Sequence, residues 1–212
     1  MMFEKYQGVK MRTVIYNNKP IIPSKIVCIG RNYVEHIEEL GNEIPSSMVV
    51  FNKPNSAISE RLEYYQKDTR FEGEICFLIE NKSIAGIGFG LDLTHAETQN
   101  RMKSKGLPWE RAKSFDGSAL FSEFISFKGD ITKLSMKLSI NDVLIQFANY
   151  DLMMYKPHTM IEEIESFMTL EDGDIIMSGT PKGVGTYKKG DTFVGEVFYE
   201  GELLVAREWM VE

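Results

Sequence analysis

Apolar residues occur along this chain mainly in short runs that are separated by Gly, Asn and Asp. Residues 25–30, KIVCIG, form a β-branched run typical of a strand, and residues 76–79, CFLI, form a second run typical of a buried strand. Residues 84–93, IAGIGFGLDL, are apolar but contain three glycines, which indicates a strand that bends or lies close to other backbone. The pattern predicts a sheet-rich α+β fold with few helices.

Three short helices are predicted from capping patterns, in which a polar N-cap residue is followed three positions later by a glutamate. The first helix is expected to stop at Gly41, the second near residue 105, and the third near residue 168. The N-cap and N3 pairs are Asn32 and Glu35, Thr94 and Glu97, and Thr159 and Glu162.

Two hairpins are predicted in the second half of the chain. Asn141 and Asp142 lie between two apolar runs, a composition that favours a tight turn. Residues 191–209 form two further apolar runs around a Gly-containing turn. Between these hairpins, residues 178–185, SGTPKGVG, predict a tightly turning glycine-rich loop.

Composition narrows the class of protein. The 212 residues predict one domain, residues 1–212, with residues 1–24 as a short N-terminal segment. No apolar run approaches the roughly 20 residues that span a bilayer, and the charged N-terminus lacks the apolar core of a signal peptide, so we expect a cytoplasmic protein that is not in a membrane. A net charge of -7 without a basic block argues against nucleic acid as a partner.

Three carboxylates are the first candidates for chemistry. Glu72 and Glu74 are separated by one residue, so in an extended chain their side chains share a face. Taken alone, the pair is more often the solvated face of an edge strand than a metal site. Asp92, however, lies inside an apolar run, where an ionised carboxylate needs a partner. Three oxygen donors without histidine or cysteine suit a hard cation such as Mg²⁺ or Mn²⁺.

Six segments, in this order and at about these spacings, resemble the fumarylacetoacetate hydrolase superfamily, and most closely its small acylpyruvase and oxaloacetate decarboxylase branch. They are KIVCIGRNYVEHIEELG, FNKP, FEGE, GLDLTHAETQ, GLPWERAKSFDGS and LEDGDIIMSGTPKGVG, and they cover nearly the whole chain from Lys25 onward.

The resemblance implies a mixed β-sandwich roll, a homodimer, and Mg²⁺ or Mn²⁺ held by Glu72, Glu74 and Asp92. It also implies a His36 and Glu39 pair that orients and deprotonates water. The two residues are three apart on a predicted helix and so share a face, although without the family a surface pair is the more common interpretation. Lys113 is implied as a catalytic cation, and the implied substrate-binding residues are Arg31, Gln99 and Thr180.

One position departs from the family pattern. Many relatives read D-x-[ST]-A-R-D-x-Q where this chain reads DLTHAETQ, so Ala96 stands in place of an arginine. Arginine binds carboxylates in a bidentate manner and alanine does not. We therefore expect either a different substrate or compensation by another cation, such as Lys53 or Lys113.

The function expected from the resemblance is divalent-metal-dependent cleavage of a C–C bond in a 2-oxo acid through a metal-stabilised enolate, by acylpyruvate hydrolysis, oxaloacetate decarboxylation or both. The alternative within the family is an isomerase, hydratase or decarboxylase of a 2-hydroxy-dienoate acid from aromatic breakdown. A mechanistic rival is a Schiff-base lyase with Lys113 as nucleophile. A rival of another class is a catalytically silent binding or scaffolding protein, which Ala96 alone favours.

Overall fold

The computed structural model describes residues 11–39, 41 and 45–212. Residues 1–10 of the predicted N-terminal segment lie outside this range. The described helices are α1 (Val34–Glu39), α2 (Ala96–Ser104), α3 (Glu110–Lys113) and α4 (Pro157–Glu165). The described strands are β1 (Val14–Tyr16), β2 (Lys19–Ile21), β3 (Lys25–Gly30), β4 (Val49–Pro54), β5 (Ile58–Ser59), β6 (Thr69–Phe71), β7 (Gly73–Glu80), β8 (Ser83–Asp92), β9 (Thr94–His95), β10 (Ala119–Phe121), β11 (Ile125–Ser126), β12 (Leu134–Ile140), β13 (Val143–Asn149), β14 (Ile175–Met177), β15 (Gly185–Thr186), β16 (Thr192–Tyr199) and β17 (Glu202–Met210).

The largest sheet is mixed and has the order β4-β3-β14-β7-β8-β10-β5, with β11 also paired to β8. Strands β14 and β3 run parallel, as do β10 and β5, whereas β7 pairs antiparallel with both β14 and β8. Seven of the eight residues of β7 are buried. A strand with such a continuous apolar run is covered on both faces of its sheet.

A second, antiparallel sheet of order β13-β12-β16-β17 packs against the large one. Residues alternate between buried and less buried along β12 and β16, as expected for a sheet with one face in the core. The two sheets approach closely at Gly195, where any side chain would overlap the ring of Phe89 in β8. The predicted sheet-rich sandwich with a few short helices is confirmed.

Local sequence signals for strands and turns were accurate. Strand β3 spans the predicted residues 25–30, and the hairpin of β16 and β17 covers the predicted C-terminal region. Asn141 and Asp142 connect β12 to β13 with φ angles of 50° and 65°. Two positive φ angles are the signature of the turn that favours a tight hairpin. None of the described helices is long and apolar enough to cross a membrane.

The predicted capping box of α2 is wrong, because its threonine serves another purpose. Helix α2 has His95 at its N-cap, without a side-chain capping bond, and the Thr94 hydroxyl instead donates to Glu72 Oε1 at 3.0 Å. The carboxylate of Asp68, on a distant segment, accepts from the backbone N–H of Glu97 at 2.7 Å. A tertiary contact therefore supplies the cap that the local sequence was expected to supply.

The starts of the other two helices were also predicted inaccurately. Helix α4 begins at Pro157, before Thr159, because proline is favoured in the first helical turn. Helix α1 begins at Val34, and the side chain of Asn32 hydrogen-bonds to backbone groups of Tyr155 and Ser178. Asn32 thereby joins the end of β3 to the loop after β14.

Candidate active site

A pocket of about 490 Å³, which includes space open to solvent, lies beside the ends of β3, β7 and β8. The residues that line it come from segments distant from one another in the sequence and lie between Ile29 and Thr180. Of the nine residues predicted for the site, eight line it: Arg31, His36, Glu72, Glu74, Asp92, Gln99, Lys113 and Thr180. The ninth, Glu39, contacts one of these eight residues from outside the pocket wall.

The three predicted metal ligands form one cluster. Glu74 is the second residue of β7 and Asp92 the last of β8, and these strands are antiparallel neighbours. Glu72 lies between β6 and β7, and its backbone oxygen accepts from Asp92 N at 2.9 Å. One carboxylate oxygen of each residue lies within 4.8 Å of the others.

Two buried lysines balance part of this negative charge. The Lys113 ammonium contacts Glu72 Oε2 at 2.8 Å and Asp92 Oδ2 at 2.7 Å. The Lys53 ammonium lies 2.8 Å from Asp92 Oδ1 and donates to the backbone oxygens of Lys113 and Leu93. Both side chains are almost fully buried, so the cluster carries its own cations in the core.

The electrostatics of Glu74 differ from those of its neighbours. Burial raises the pKa of Glu74 well above its ordinary value, and the charges of Asp92 and Glu72 raise it further. Its Oε2 accepts from Gly179 N at 2.6 Å, but among the described residues Glu74 takes part in no ion pair. By contrast, burial of Glu72 is outweighed by Lys113 and His36, which lower the pKa of that carboxyl.

This donor set fits a divalent cation. The cluster offers oxygen donors alone, which suits Mg²⁺ or Mn²⁺. The three carboxylates line the pocket, so water or a substrate in the pocket could supply the remaining ligands. A cation would also offset the charge on Glu74, which the two lysines leave without an ion pair. Glu72, Glu74 and Asp92 are therefore the residues that could hold a metal.

The predicted proton-transfer pair is assembled on α1. His36 Nδ1 lies 3.2 Å from Glu39 Oε2, and His36 is buried in the pocket wall. Glu39 also accepts from the backbone N–H of Gly183, with distances of 3.0 Å to Oε1 and 3.3 Å to Oε2. The Glu39 carboxylate thus has partners on two sides, and His36 lines the same pocket as the carboxylate cluster.

The predicted substrate-binding residues all line the pocket, and the hydroxyl of one of them, Thr180, already has two hydrogen-bond partners inside the protein. The Thr180 hydroxyl donates to Gly73 O at 3.0 Å and accepts from Gln146 Nε2 at 2.8 Å. Its proton is therefore already used inside the protein. Arg31 follows β3 in a left-handed conformation, φ 56°, which is uncommon for a residue other than glycine and often marks a functional position. Gln99 lies in the middle of α2.

Several residues of the site were not predicted from the sequence as members of it, among them the polar residues Lys103 and Thr94. Lys103 lines the pocket from α2, and helical spacing could have identified it, because it follows Gln99 by four positions. Thr94 was assigned to a cap, and no sequence signal separates a capping threonine from one that binds a carboxylate. Lys53 was considered only as a substitute cation, since a fully buried lysine is rare.

Three comparisons place the chain among known proteins. Residues 25–205 match the family model described as fumarylacetoacetate (FAA) hydrolase C-terminal. The oxaloacetate tautomerase of Escherichia coli (strain K12) is 36% identical over 203 residues, which cover 87% of this chain and 92% of the relative.

Two solved structures share the fold. The 5-carboxymethyl-2-hydroxymuconate delta-isomerase of Mycobacterium smegmatis has a TM-score of 0.75 at 28% identity, covering 91% of this chain and 80% of that one. Fumarylpyruvate hydrolase from Pseudomonas aeruginosa, solved in complex with Mn²⁺ and pyruvate, has a TM-score of 0.84 at 23% identity, covering 95% of this chain and 97% of that one.

Proposed function

Because this chain belongs to the fumarylacetoacetate hydrolase family, we propose that it is a divalent-metal-dependent enzyme of enolisable 2-oxo acids, and that its leading reaction is keto–enol tautomerisation of oxaloacetate. One observation carries the proposal: His36, paired with Glu39, faces the same pocket as the carboxylate cluster. A base and a cation site are the two elements that removal of a proton next to a carbonyl requires.

We propose that Glu72, Glu74 and Asp92 hold Mg²⁺ or Mn²⁺. When bound, such a cation supplies positive charge beside the carboxylate and 2-oxo oxygens of the substrate, where negative charge develops. The Mn²⁺ and pyruvate in the fumarylpyruvate hydrolase support both the metal and the 2-oxo acid end of the substrate.

In this proposal His36 is the general base and Glu39 positions it. With its Nδ1 turned to the Glu39 carboxylate, the imidazole keeps its other nitrogen for the substrate. His36 takes a proton from C3 of oxaloacetate, the carbon between the two carbonyl groups. Transfer of a proton to the 2-oxo oxygen, from His36 or from water, completes the enol. The reverse sequence forms the keto acid.

Lys113 acts in this proposal as a fixed positive charge. Burial opposes charge on its ammonium, but Asp92 and Glu72 outweigh burial and raise the pKa of Lys113 above its ordinary value. A Schiff-base nucleophile has to be neutral, so this environment argues against the lyase rival. Borohydride in the presence of substrate is expected to leave the enzyme active and unmodified.

Cleavage of a C–C bond is the second candidate function. The same His36 and Glu39 pair could deprotonate water for acylpyruvate hydrolysis, and decarboxylation of oxaloacetate would pass through the same enolate charge without water. The muconate isomerase relative supports the third possibility, isomerisation of a dienoate acid. These reactions share the site and differ in the bond that breaks.

The experiment that tests the proposal separates proton transfer from bond cleavage. Purified protein is mixed with the enol form of oxaloacetate in Mg²⁺, in Mn²⁺ or in EDTA, while enol absorbance and pyruvate are followed independently. We expect metal-dependent enol loss well above the rate of the metal-containing buffer, with little pyruvate. Matching rates of enol loss and pyruvate formation would make decarboxylation the main reaction.

The His36→Asn variant is the control for this assay, because it removes the base and keeps the three carboxylates. Loss of enol at the same rate in wild type, variant and buffer would overturn the tautomerase proposal. Failure of oxaloacetate, acylpyruvates and dienoate acids alike to react would favour the silent-scaffold alternative.

The predicted homodimer remains a proposal. Strand β13 lies at the edge of the second sheet and exposes Val143, Leu144 and Phe147, with Val143 60% exposed. Apolar side chains on an edge strand favour association with another surface. Light scattering after gel filtration would test it, and a monomer mass at micromolar concentration would exclude a stable dimer.

A further inference from the structure

Lys103 is a cation in the pocket wall to which the proposed chemistry gives no role. Lys103 lies on α2 one turn after Gln99, so both side chains share the helix face that lines the pocket. Among the described residues, Lys103 has no carboxylate partner within ion-pair distance, in contrast to Lys53 and Lys113. An ammonium facing a pocket without its own anion is suited to an anionic ligand.

Two aromatic rings, Trp109 and Phe51, form an aromatic wall of the pocket beside this ammonium. Lys103 Nζ is 5.2 Å from the ring centroid of Trp109, which lies 5.8 Å from that of Phe51. Lys113 Nζ is 5.1 Å from the Phe51 centroid. All four residues line the pocket. Each of two neighbouring rings in the pocket wall therefore has an ammonium beside it, and the one beside Phe51, that of Lys113, is paired with the carboxylate cluster.

The surroundings of Lys103 are mainly positive. Burial lowers its pKa to about 8, and the charges of Arg31, Lys113 and Arg70 act in the same direction, opposed by Glu72. A ligand carboxylate placed here would offset this accumulation of positive charge.

We infer that Lys103 is a specificity-determining residue that binds a second carboxylate, so that the pocket selects dicarboxylic 2-oxo acids over those with an uncharged tail. The inference rests on the proposed function, because it takes the 2-oxo acid end of the ligand to lie at the carboxylate cluster. The opposite end of the ligand then extends along the aromatic wall to Lys103.

The test is a binding measurement with two acids of equal length. 2-Oxoglutarate and 2-oxopentanoate differ at the distal carbon, which is a carboxylate in the first and a methyl group in the second. Their dissociation constants are measured by calorimetry at saturating Mg²⁺ for the wild type and for Lys103→Met, which keeps the length of the side chain. Lys105→Met is the matched control, because Lys105 is exposed just beyond α2 and does not line the pocket.

We expect wild type and Lys105→Met to bind 2-oxoglutarate roughly 5- to 50-fold more tightly than 2-oxopentanoate, the range of a partly exposed charge-assisted contact. In Lys103→Met this ratio should fall to about one, through weaker binding of 2-oxoglutarate alone. A wild type without the preference, or without binding of 2-oxoglutarate, overturns the inference. Retention of the preference in Lys103→Met overturns it as well.

This result is independent of turnover. A protein that prefers 2-oxoglutarate through Lys103 but turns over no 2-oxo acid would support the binding site and refute the proposed function. A protein that tautomerises oxaloacetate, and whose preference for 2-oxoglutarate over 2-oxopentanoate is unchanged in Lys103→Met, would support the proposed function and refute the binding site.

Discussion

Replacing Lys53 with methionine is expected to lower the melting temperature of the metal-free protein by roughly 6–12 °C. The Lys53 side chain is fully buried, and its ammonium lies 2.8 Å from Asp92 Oδ1. At an effective dielectric constant of about 20, two unit charges at this distance attract by roughly 6 kcal/mol before the cost of desolvation. Methionine keeps the volume but removes the charge and the hydrogen bonds to the backbone oxygens of Lys113 and Leu93, so the loss is polar and not one of packing.

The net cost is smaller than this attraction for two reasons. The first is that the desolvation of both ions cancels part of the attraction, so that removing one partner of a buried pair typically costs about 3–5 kcal/mol. The second is that Asp92 retains its ion pair with Lys113, whose ammonium lies 2.7 Å from Asp92 Oδ2. We therefore take the lower end, about 3 kcal/mol, and convert it at about 2–4 °C per kcal/mol for a chain of this size.

The assay is differential scanning calorimetry in EDTA and in Mn²⁺. A cation at Glu72, Glu74 and Asp92 would replace the missing charge, so Mn²⁺ should raise the melting temperature of Lys53→Met more than that of the wild type. Lys82→Met is the control, since it removes an ion pair of 2.5 Å at the surface and should change the melting temperature little. A shift below about 2 °C in EDTA, or an equal gain from Mn²⁺ in both proteins, would refute the reasoning.

Three further predictions concern single side chains. His36→Asn should reduce kcat by roughly 10²- to 10⁴-fold while the Mn²⁺-dependent rise in melting temperature persists, and loss of both would show that His36 supports the metal site instead. Burial alone would raise the pKa of Asp174, but hydrogen bonds from Lys25 and Ser24 outweigh it and lower that pKa. Asp174→Asn should therefore cost roughly 4–8 °C at neutral pH, and the difference should shrink as the pH falls through the lowered pKa; a difference independent of pH would contradict this. Since Lys103 loses its proton as the pH rises through about 8, the preference of the wild type for 2-oxoglutarate should fall over that range, and calorimetry with Lys103→Met should show no such change.

The sequence was informative wherever one local rule determined the structure. Strand β3 and the turn at Asn141 and Asp142 follow from apolar runs and turn composition, which act within a few residues. The spacing of Glu72 and Glu74, together with a carboxylate in the apolar run of β8, was enough to bring three acidic residues into one hypothesis. Antiparallel pairing of β7 and β8 then places them together.

The sequence was uninformative where a side chain is used by a distant part of the chain. Thr94 fits a capping box, but the cap comes from Asp68 and the threonine hydroxyl binds Glu72. The position of Lys53 gives no sign that it is buried, because its partner Asp92 lies 39 positions away in the chain. Such contacts depend on tertiary packing, which overrides local preference.

The loop after β14 has a consequence for how this enzyme can change. Gly179 N–H donates to Glu74, a proposed metal ligand, and four residues later Gly183 N–H donates to Glu39, the partner of the proposed base. An insertion or deletion between these two glycines would disturb the proposed metal site and the proposed proton-transfer pair at the same time. Gln99 and Lys103 are on α2, which makes neither contact. In the proposed site, substitutions at Gln99 and Lys103 would change substrate preference without altering the contacts that this loop makes to Glu74 and Glu39.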